Sequence, residues 1–261
     1  MKIIVCIKQV PDTTEVKIDP ETNTLVRQGI QSVVNPFDSY ALEEGVRLKE
    51  QHGGQVTVIS MGPPQAETAL REALATGADE AILLSDRAFA GADTLATAYT
   101  LARAIDKLAP YDLVICGRQT TDGDTGQVGP EVAEILGLPF VAYVSRVEEI
   151  AGGQMRVRRM VEEGHEVVAF PLPGVITVAK DINVPRLPSL RGKMKAKSAA
   201  VPAWTAADLA ADADRVGMAG SATRVTRIFY PQRTHQAEII PGDPDEQVER
   251  LMARLREAKL I

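Results

Sequence analysis

The stretch Ile115-Cys-Gly-Arg-Gln-Thr-Thr-Asp-Gly-Asp-Thr-Gly-Gln-Val-Gly-Pro130 decides how the rest of the chain is read. It follows the apolar run Asp112-Leu-Val-Ile-Cys116, which predicts a buried strand, and leads into Glu131-Val-Ala-Glu-Ile-Leu136, a helix closed by Gly137. A strand that ends in a Gly-rich polar loop and re-enters as a helix presents unpaired backbone N–H groups at the helix start, where the helix dipole favours a phosphate. Gly117, Gly123, Gly126 and Gly129 allow close backbone approach or positive φ, while Asp122, Asp124, Thr125 and Gln127 offer hydrogen bonds to a sugar or base. The spacing is neither GxGxxG nor GxxxxGK[ST]. Two readings therefore stay open on these residues alone: a nucleotide loop, or the capped entrance of a helix.

Upstream, the same strand-then-helix rhythm repeats. Lys2-Ile-Ile-Val-Cys-Ile-Lys8 is an apolar run fit for a central parallel strand, and Gln55–Ser60 and Glu80–Leu84 are two more. Between them, Asn35-Pro-Phe-Asp38 predicts a helix start, with Asn as N-cap, Pro at the first helical position and Asp in the first turn. Ala66, Ala69, Leu70, Ala73 and Leu74 form one face of a second helix ended by Gly77, and Asp93 or Thr94 can cap a third that buries Ala98, Leu101, Ala102, Ile105 and Leu108. Phe140–Val144 is the fifth strand of the series. Regular alternation predicts an α/β fold: an open, twisted, Rossmann-like parallel sheet of about five strands with right-handed crossovers. The segment from Gln9 to Gln28 breaks the pattern and is expected as a long loop carrying a small hairpin, at the sheet end where ligand crevices form.

Beyond Ser145 the rhythm changes to short strands and tight Gly turns: Val147–Ile150, Met155–Val161, Glu166–Phe170 and Val175–Val178 predict an appended antiparallel meander. From Asp181 to Lys197 the chain is rich in Pro and base. Leu187, Leu190 and Met194 lie among Arg186, Arg191, Lys193, Lys195 and Lys197, as suits either a solvated connector or a docking surface for an acidic partner. Residues 199–220 are Ala-rich and polar, with a short helix expected after Thr205. Asp243 caps a last helix whose Val248, Leu251, Met252 and Leu255 make one stripe, to be buried on a partner subunit or on the chain's own sheet. The expected division is an α/β domain over 1–198 and a C-terminal arm over 199–261.

The composition is that of a globular protein, with 45% hydrophobic and 25% charged residues among 261, and a net charge of −6 gives no general attraction for nucleic acid or anionic membrane. No apolar run approaches ~20 residues, so membrane insertion is not expected and a cytoplasmic location is. Cys6 and Cys116 both fall inside apolar strands, as buried thiols do, and His52, His165 and His235 show no ligand spacing. The carboxylate pairs Glu43/Glu44 and Glu162/Glu163 read as solvated charge. HExxH and GxSxG are absent, and the loop has no protein base or nucleophile beside it. A bound cofactor that carries the chemistry resolves that gap.

Four motifs spread over nearly the whole chain resemble those of the electron transfer flavoprotein beta (small) subunit: Val5-Cys-Ile-Lys8, Asn35-Pro-Phe-Asp38, the loop from Gly117 to Pro130, and Val157-Arg-Arg-Met-Val-Glu-Glu-Gly-His-Glu166 through Pro173-Gly-Val-Ile-Thr177. The resemblance implies a heterodimer with an alpha subunit that holds most of one FAD, and electron transfer from dehydrogenases to an acceptor. It also implies a nucleotide pocket in this chain. Its residues are Cys6; Asn35, Pro36, Phe37 and Asp38; Met61; and the loop residues Gly117, Arg118, Gln119, Thr120, Thr121, Asp122, Gly123, Asp124, Thr125, Gly126, Gln127 and Val128. Simpler family members hold a structural AMP there and have Asp-Asp-Asp-x-Asn-Gln-Thr-Gly in the loop. Asp122-Gly-Asp-Thr-Gly-Gln-Val-Gly-Pro130 instead resembles the electron-bifurcating branch, in which a second FAD occupies the AMP position, takes a hydride from NADH and divides the electron pair. Ferredoxin or flavodoxin is then an expected low-potential acceptor. Ser189-Leu-Arg-Gly-Lys-Met-Lys-Ala-Lys197 is similar to the family's recognition loop for acyl-CoA-type or other dehydrogenases, within 181–198. Leu190 stands at the anchor position, with Met194 and Lys195 beside it. Arg191 and Lys193 replace the commoner Pro and Ile.

Overall fold

In the computed structural model, which describes residues 1–12, 17–18, 25–26, 32–226 and 237–261, the apolar runs become the middle of one large sheet. The chain enters as β1 (Lys2–Cys6). β2 (Gln9–Pro11) pairs antiparallel with β5 (Ser32–Val34), and β3 (Lys17–Ile18) with β4 (Leu25–Val26), so the expected small hairpin is present; the rest of the 9–28 segment lies outside the described residues beyond Asp12. Then follow α1 (Pro36–His52), β6 (Gln55–Met61), α2 (Glu67–Thr76), β7 (Glu80–Leu84), α3 (Thr94–Lys107), β8 (Leu113–Gly117), α4 (Val128–Leu136) and β9 (Phe140–Ala151). β10 (Gln154–Val161), β11 (Gly164–Pro171), β12 (Gly174–Val178), α5 (Leu190–Ser198), β13 (Ala203–Trp204) and α6 (Pro244–Glu257) complete the order.

The sheet has nine strands in the order β11-β10-β9-β12-β8-β1-β6-β7-β13. From β1 the chain steps outward to β6 and β7, then returns across β1 to β8, so the direction of winding reverses between β1 and β8. In an open α/β sheet that reversal leaves a crevice beyond the carboxyl ends of the two strands, the usual ligand position. Side chains alternate between two cores. Ile3, Val5, Val58, Ile115 and Ile176 pack with Leu42, Val46, Leu70 and Leu74 of α1 and α2; Ile4, Cys6, Ile59, Val114 and Cys116 pack with Tyr99, Leu101, Ile105 and Val132 of α3 and α4. Each fully buried Leu, Ile or Val contributes roughly 1.5–3 kcal/mol of transfer free energy. Both faces are covered, which is why these strands carry continuous rather than alternating apolar residues.

Val175–Val178 is not part of the meander. It forms β12, inserted parallel between β8 and β9. All five residues of β12 are buried, the condition of a central strand, whereas β10 and β11 keep an exposed face. β9 serves both parts of the sheet: Phe140–Val144 runs parallel beside β12, as expected of the fifth strand, and Val144–Ala151 pairs antiparallel with β10. The register breaks where these functions meet, and Tyr143 there adopts φ +58°.

Residues 199–226, expected in the arm, belong to the compact unit that runs from Met1 to Thr226. β13 extends the sheet beside β7, with Leu83 N donating to Pro202 O (2.9 Å) and Ser85 N to Trp204 O (3.0 Å); Leu209 and Val216 are buried in the core on the α3 side. After Thr205 there is a turn rather than a helix. The second unit spans Arg227–Ile261. Within it, Asp243 caps α6 as expected, accepting from Asp245 N and Glu246 N at 3.1 and 3.0 Å, and Val248, Leu251 and Met252 are exposed. Among the described residues no helix is long and apolar enough to cross a membrane.

The reading of Glu43 and Glu44 as solvated charge is overturned: each is only 5% exposed. The segment after β12 lies over α1 and supplies their partners. Arg186 donates to both oxygens of Glu43 (2.8 and 3.0 Å) and to Glu50 (2.6 and 2.9 Å), and Asn183 Nδ2 donates to Glu44 (3.0 Å) and to Tyr40 O (3.1 Å). Burial, opposed by the Asn183 bond, pushes the Glu44 carboxyl up.

Candidate functional site

The loop of residues 118–127 leaves β8 at the β1–β8 reversal and enters α4, so its position follows from the winding of the sheet. Arg118 N still pairs with Val178 O at 3.1 Å, after which the chain turns back on itself, Asp124 N donating to Thr120 O at 2.9 Å. Asp124 (φ +53°) and Gly126 (φ +65°) take left-handed conformations in that turn. Such residues rotate successive N–H groups toward one side, a geometry that binds anions. Gln119 Nε2 donates to Asp124 Oδ1 and braces the loop internally. Gln127 places no side-chain hydrogen bond on the first turn of α4, so the capped-entrance reading of this loop does not hold. The N–H groups at the start of α4 keep their capacity for a ligand.

Asn35 was expected to cap α1, and its side chain makes no such bond. Fully buried, it reaches across to the loop: Nδ2 donates to Gln119 O at 2.8 Å, and Oδ1 accepts from Thr121 N at 3.2 Å. Pro36 opens α1, and Phe37 is half-buried behind it. Asp38, also buried, accepts the Lys8 N–H at 2.7 Å. Gly117 has no room for a side chain, because a β-carbon there would sit 2.8 Å from Phe37 C and 2.9 Å from Asp38 N. The start of α1 is thus pressed against the ends of β1 and β8.

Lys8, absent from the sequence-based site, bridges Asp122 with both oxygens at 2.8 Å. Its signal was its place two residues past Cys6 at the carboxyl end of the first strand. Partial burial raises the Asp122 carboxyl, but the Lys8 hydrogen bonds and charge, with the Thr120 hydroxyl, outweigh it and hold the group below its ordinary range. Cys6 and Cys116 face each other in register, both buried in the core on the α3/α4 side. Interaction with Cys116 and burial push the Cys6 thiol up, so Cys6 is a packing group rather than a nucleophile. Met61 closes β6 half-buried, while Thr121, Gly123 and Thr125 are exposed on the loop and Val128 begins α4. The β-carbon of an alanine at Gly123 would meet only Thr120 Oγ1 at 3.4 Å. Arg118 is stacked over the ring of Tyr143 at 5.0 Å, a partner not apparent from sequence spacing.

The residues present fit the phosphate end of a nucleotide. Besides the uncapped helix start, Ser60 Oγ, next to Met61, and Glu131 Oε2, in the first turn of α4, are buried oxygens without a partner among the described residues. Each can take up a hydroxyl or amino group of a ligand. No group of three or more His, Cys, Asp or Glu capable of holding a metal occurs among the described residues.

A second surface lies apart from the crevice. Residues 190–198, read as a loop, are the helix α5, because Ser189 Oγ accepts from Gly192 N at 2.9 Å and starts it. Ala196 is buried and Gly192 lies directly against the Ala75 carbonyl of α2, while Arg71 of α2 donates to Ala196 O. Anchored along that side, α5 leaves Leu190 78% exposed and Met194 68% exposed one turn apart, with Arg191, Lys193 and Lys195 exposed around them. Val184 and Leu187 continue the exposed apolar row.

Residues 22–209 match the model of the electron transfer flavoprotein domain. The whole chain is 52% identical to the electron transfer flavoprotein subunit beta of Thermoanaerobacterium thermosaccharolyticum and 49% identical to that of Clostridium acetobutylicum, with full coverage on both sides. It is 45% identical, again over 100% of each chain, to subunit CarD of the caffeyl-CoA reductase-Etf complex of Acetobacterium woodii.

Proposed function

The chain belongs to the electron transfer flavoprotein family as a beta subunit, and from that premise we propose that its crevice holds the adenosine end of a second FAD in a bifurcating complex. The observation that carries this is the loop itself: an uncapped helix start, left-handed turns at Asp124 and Gly126, and glycine where the family's simpler members carry a further aspartate. Gly123 removes one negative charge, and a β-carbon there would meet only Thr120 Oγ1 at 3.4 Å, which leaves room for a pyrophosphate to approach. Bound there, FAD supplies hydride acceptance from NADH and the release of electrons one at a time.

The chain's own residues bind and orient. Backbone N–H groups of the loop and α4 take the phosphates, Asn35 fixes the loop against α1, and the Lys8–Asp122 pair closes its outer side. The exposed basic and apolar face of α5 meets a dehydrogenase, with Leu190 as its anchor. The alpha subunit supplies the other flavin, and ferredoxin or flavodoxin serves as low-potential acceptor. Asp122→Ala, or tryptophan in place of Gly123, is expected to empty the beta site of the purified heterodimer while the alpha-subunit flavin stays. Full nucleotide retention by both variants would sink the assignment. The non-bifurcating alternative, a structural AMP in the same crevice, predicts loss of AMP rather than FAD from these variants.

A further inference from the structure

We propose that Arg186, gripped by the buried Glu43 of α1, is a positioning residue for the docking surface: the pair fixes the segment that carries Val184 and Leu187, so that the apolar row leading into α5 meets a dehydrogenase already formed. The inference rests on the docking reading of α5 and adds to it a buried residue that the partner cannot touch.

Residues 183–189 contain no helix or strand, and the backbone N–H groups of Val184 and Leu187 pair with no carbonyl among the described residues. Such a stretch is ordered by what its side chains reach. Two of them reach α1. Asn183 Nδ2 donates to Tyr40 O at 3.1 Å and to Glu44 at 3.0 Å. Arg186 donates to Glu43 three times, from its backbone N–H at 3.1 Å and from Nε and Nη2 at 2.8 and 3.0 Å. Its Nη1 and Nη2 also donate to the exposed Glu50, at 2.6 and 2.9 Å. A guanidinium is planar and meets a carboxylate at two points, so this grip sets direction as well as distance.

The side chains on either side of Arg186 lie in the open. Val184 is 87% exposed and Leu187 89%. Pro185 and Pro188 stiffen the same stretch, because each fixes its own φ and keeps the residue before it extended. Ser189 Oγ then starts α5, which Arg71 of α2 holds through Ala196 O and Ala199 O. The segment is thus tied to α1 at one end and to α2 at the other, with Val184, Leu187, Leu190 and Met194 left exposed beside Arg191, Lys193 and Lys195. The basic flank suits an apolar groove with an acidic rim on the dehydrogenase. Releasing the Arg186 end makes the row mobile, and ordering it again on encounter costs affinity.

The test is steady-state electron transfer between the purified heterodimer and an acyl-CoA dehydrogenase, with the dehydrogenase as the varied component, well below the unfolding midpoints. Arg186→Ala should raise KM for the dehydrogenase about tenfold, with kcat and flavin content unchanged. Arg186→Lys, which keeps the charge but loses the fork, should fall between variant and parent. Glu43→Gln should raise KM about threefold or more, although its buried side chain cannot contact the partner. In the Arg186→Ala background, Leu187→Ala should add little, because the side chain it removes is no longer held in place. Lowered unfolding midpoints with unchanged KM in both Arg186→Ala and Glu43→Gln would make the grip purely structural and overturn the proposal, leaving α5 as the docking surface. A KM raised by Arg186→Ala but not by Glu43→Gln, and additive with Leu187→Ala, would put Arg186 in the contact itself and overturn the positioning role. Unchanged KM in Leu190→Ala as well overturns the docking reading and this role together.

Discussion

Gly117→Ala perturbs the crevice without removing any candidate ligand-binding atom. The new β-carbon would lie 2.8 Å from Phe37 C and 2.9 Å from Asp38 N, and closer still to Asp38 Oδ1. Carbon atoms in ordinary contact stand about 3.5–4.0 Å apart, so α1 or the loop must retreat by roughly 1 Å. The 2.7 Å bond from Lys8 N to Asp38 then opens toward a separation at which it no longer counts as a hydrogen bond. Overpacking of this kind costs about 1–3 kcal/mol, and a buried charge-assisted hydrogen bond lost with it about 1–3 more, giving roughly 2–6 kcal/mol in all. Urea unfolding followed by circular dichroism measures the loss, and nucleotide content of the purified heterodimer measures its effect on the site. Gly123→Ala is the control: its β-carbon meets only Thr120 Oγ1 at 3.4 Å, so stability should stay within about 0.5 kcal/mol. Equal midpoints for the two variants, with nucleotide retained in both, would refute the claim that α1 is pressed onto the end of β8.

Leu190→Ala should weaken productive encounter with the partner dehydrogenase by about 1–3 kcal/mol, read as a raised KM for that partner, with flavin content and unfolding midpoint unchanged because the side chain is exposed. Loss of flavin with normal docking would reverse the assignment of α5. Arg186→Ala strands the buried Glu43 and should cost about 1–3 kcal/mol of stability, whereas Glu50→Ala, which removes only the exposed half of the same cluster, should cost less than about 1 kcal/mol. Equal losses in the two variants would mean that Glu43 is not the partner that matters.

Much of the architecture is legible locally, because each parallel strand between two helical layers must be apolar throughout and each helix must show a 3.6-residue stripe. That is how Ile3 to Cys6, Val56 to Ile59 and Leu113 to Cys116 announce themselves. What fails is information about non-local neighbours. Gly174-Val-Ile-Thr-Val178 follows two genuine meander strands, and only its uninterrupted burial, visible in the fold, distinguishes a strand that leaves the meander to join β8. Glu43 and Glu44 look solvated until a segment some 140 residues away folds over them, since |i−j| is 143 for the Arg186 contact. Asn35 has the residue type and position of an N-cap, yet its amide is spent on the loop. The loop itself is legible from the succession of strand, glycines and helix. Its supports, Lys8 for Asp122 and Tyr143 for Arg118, come from other strands and carry no spacing signal.

The central claim is that the crevice between β1 and β8 holds a working flavin. The most direct measurement is the nucleotide content of the purified heterodimer, released by denaturation and counted by chromatography against protein. Two FAD per heterodimer, with the second lost from Asp122→Ala, is the result expected here; one FAD with one AMP would contradict it and leave the chain a simple electron carrier subunit.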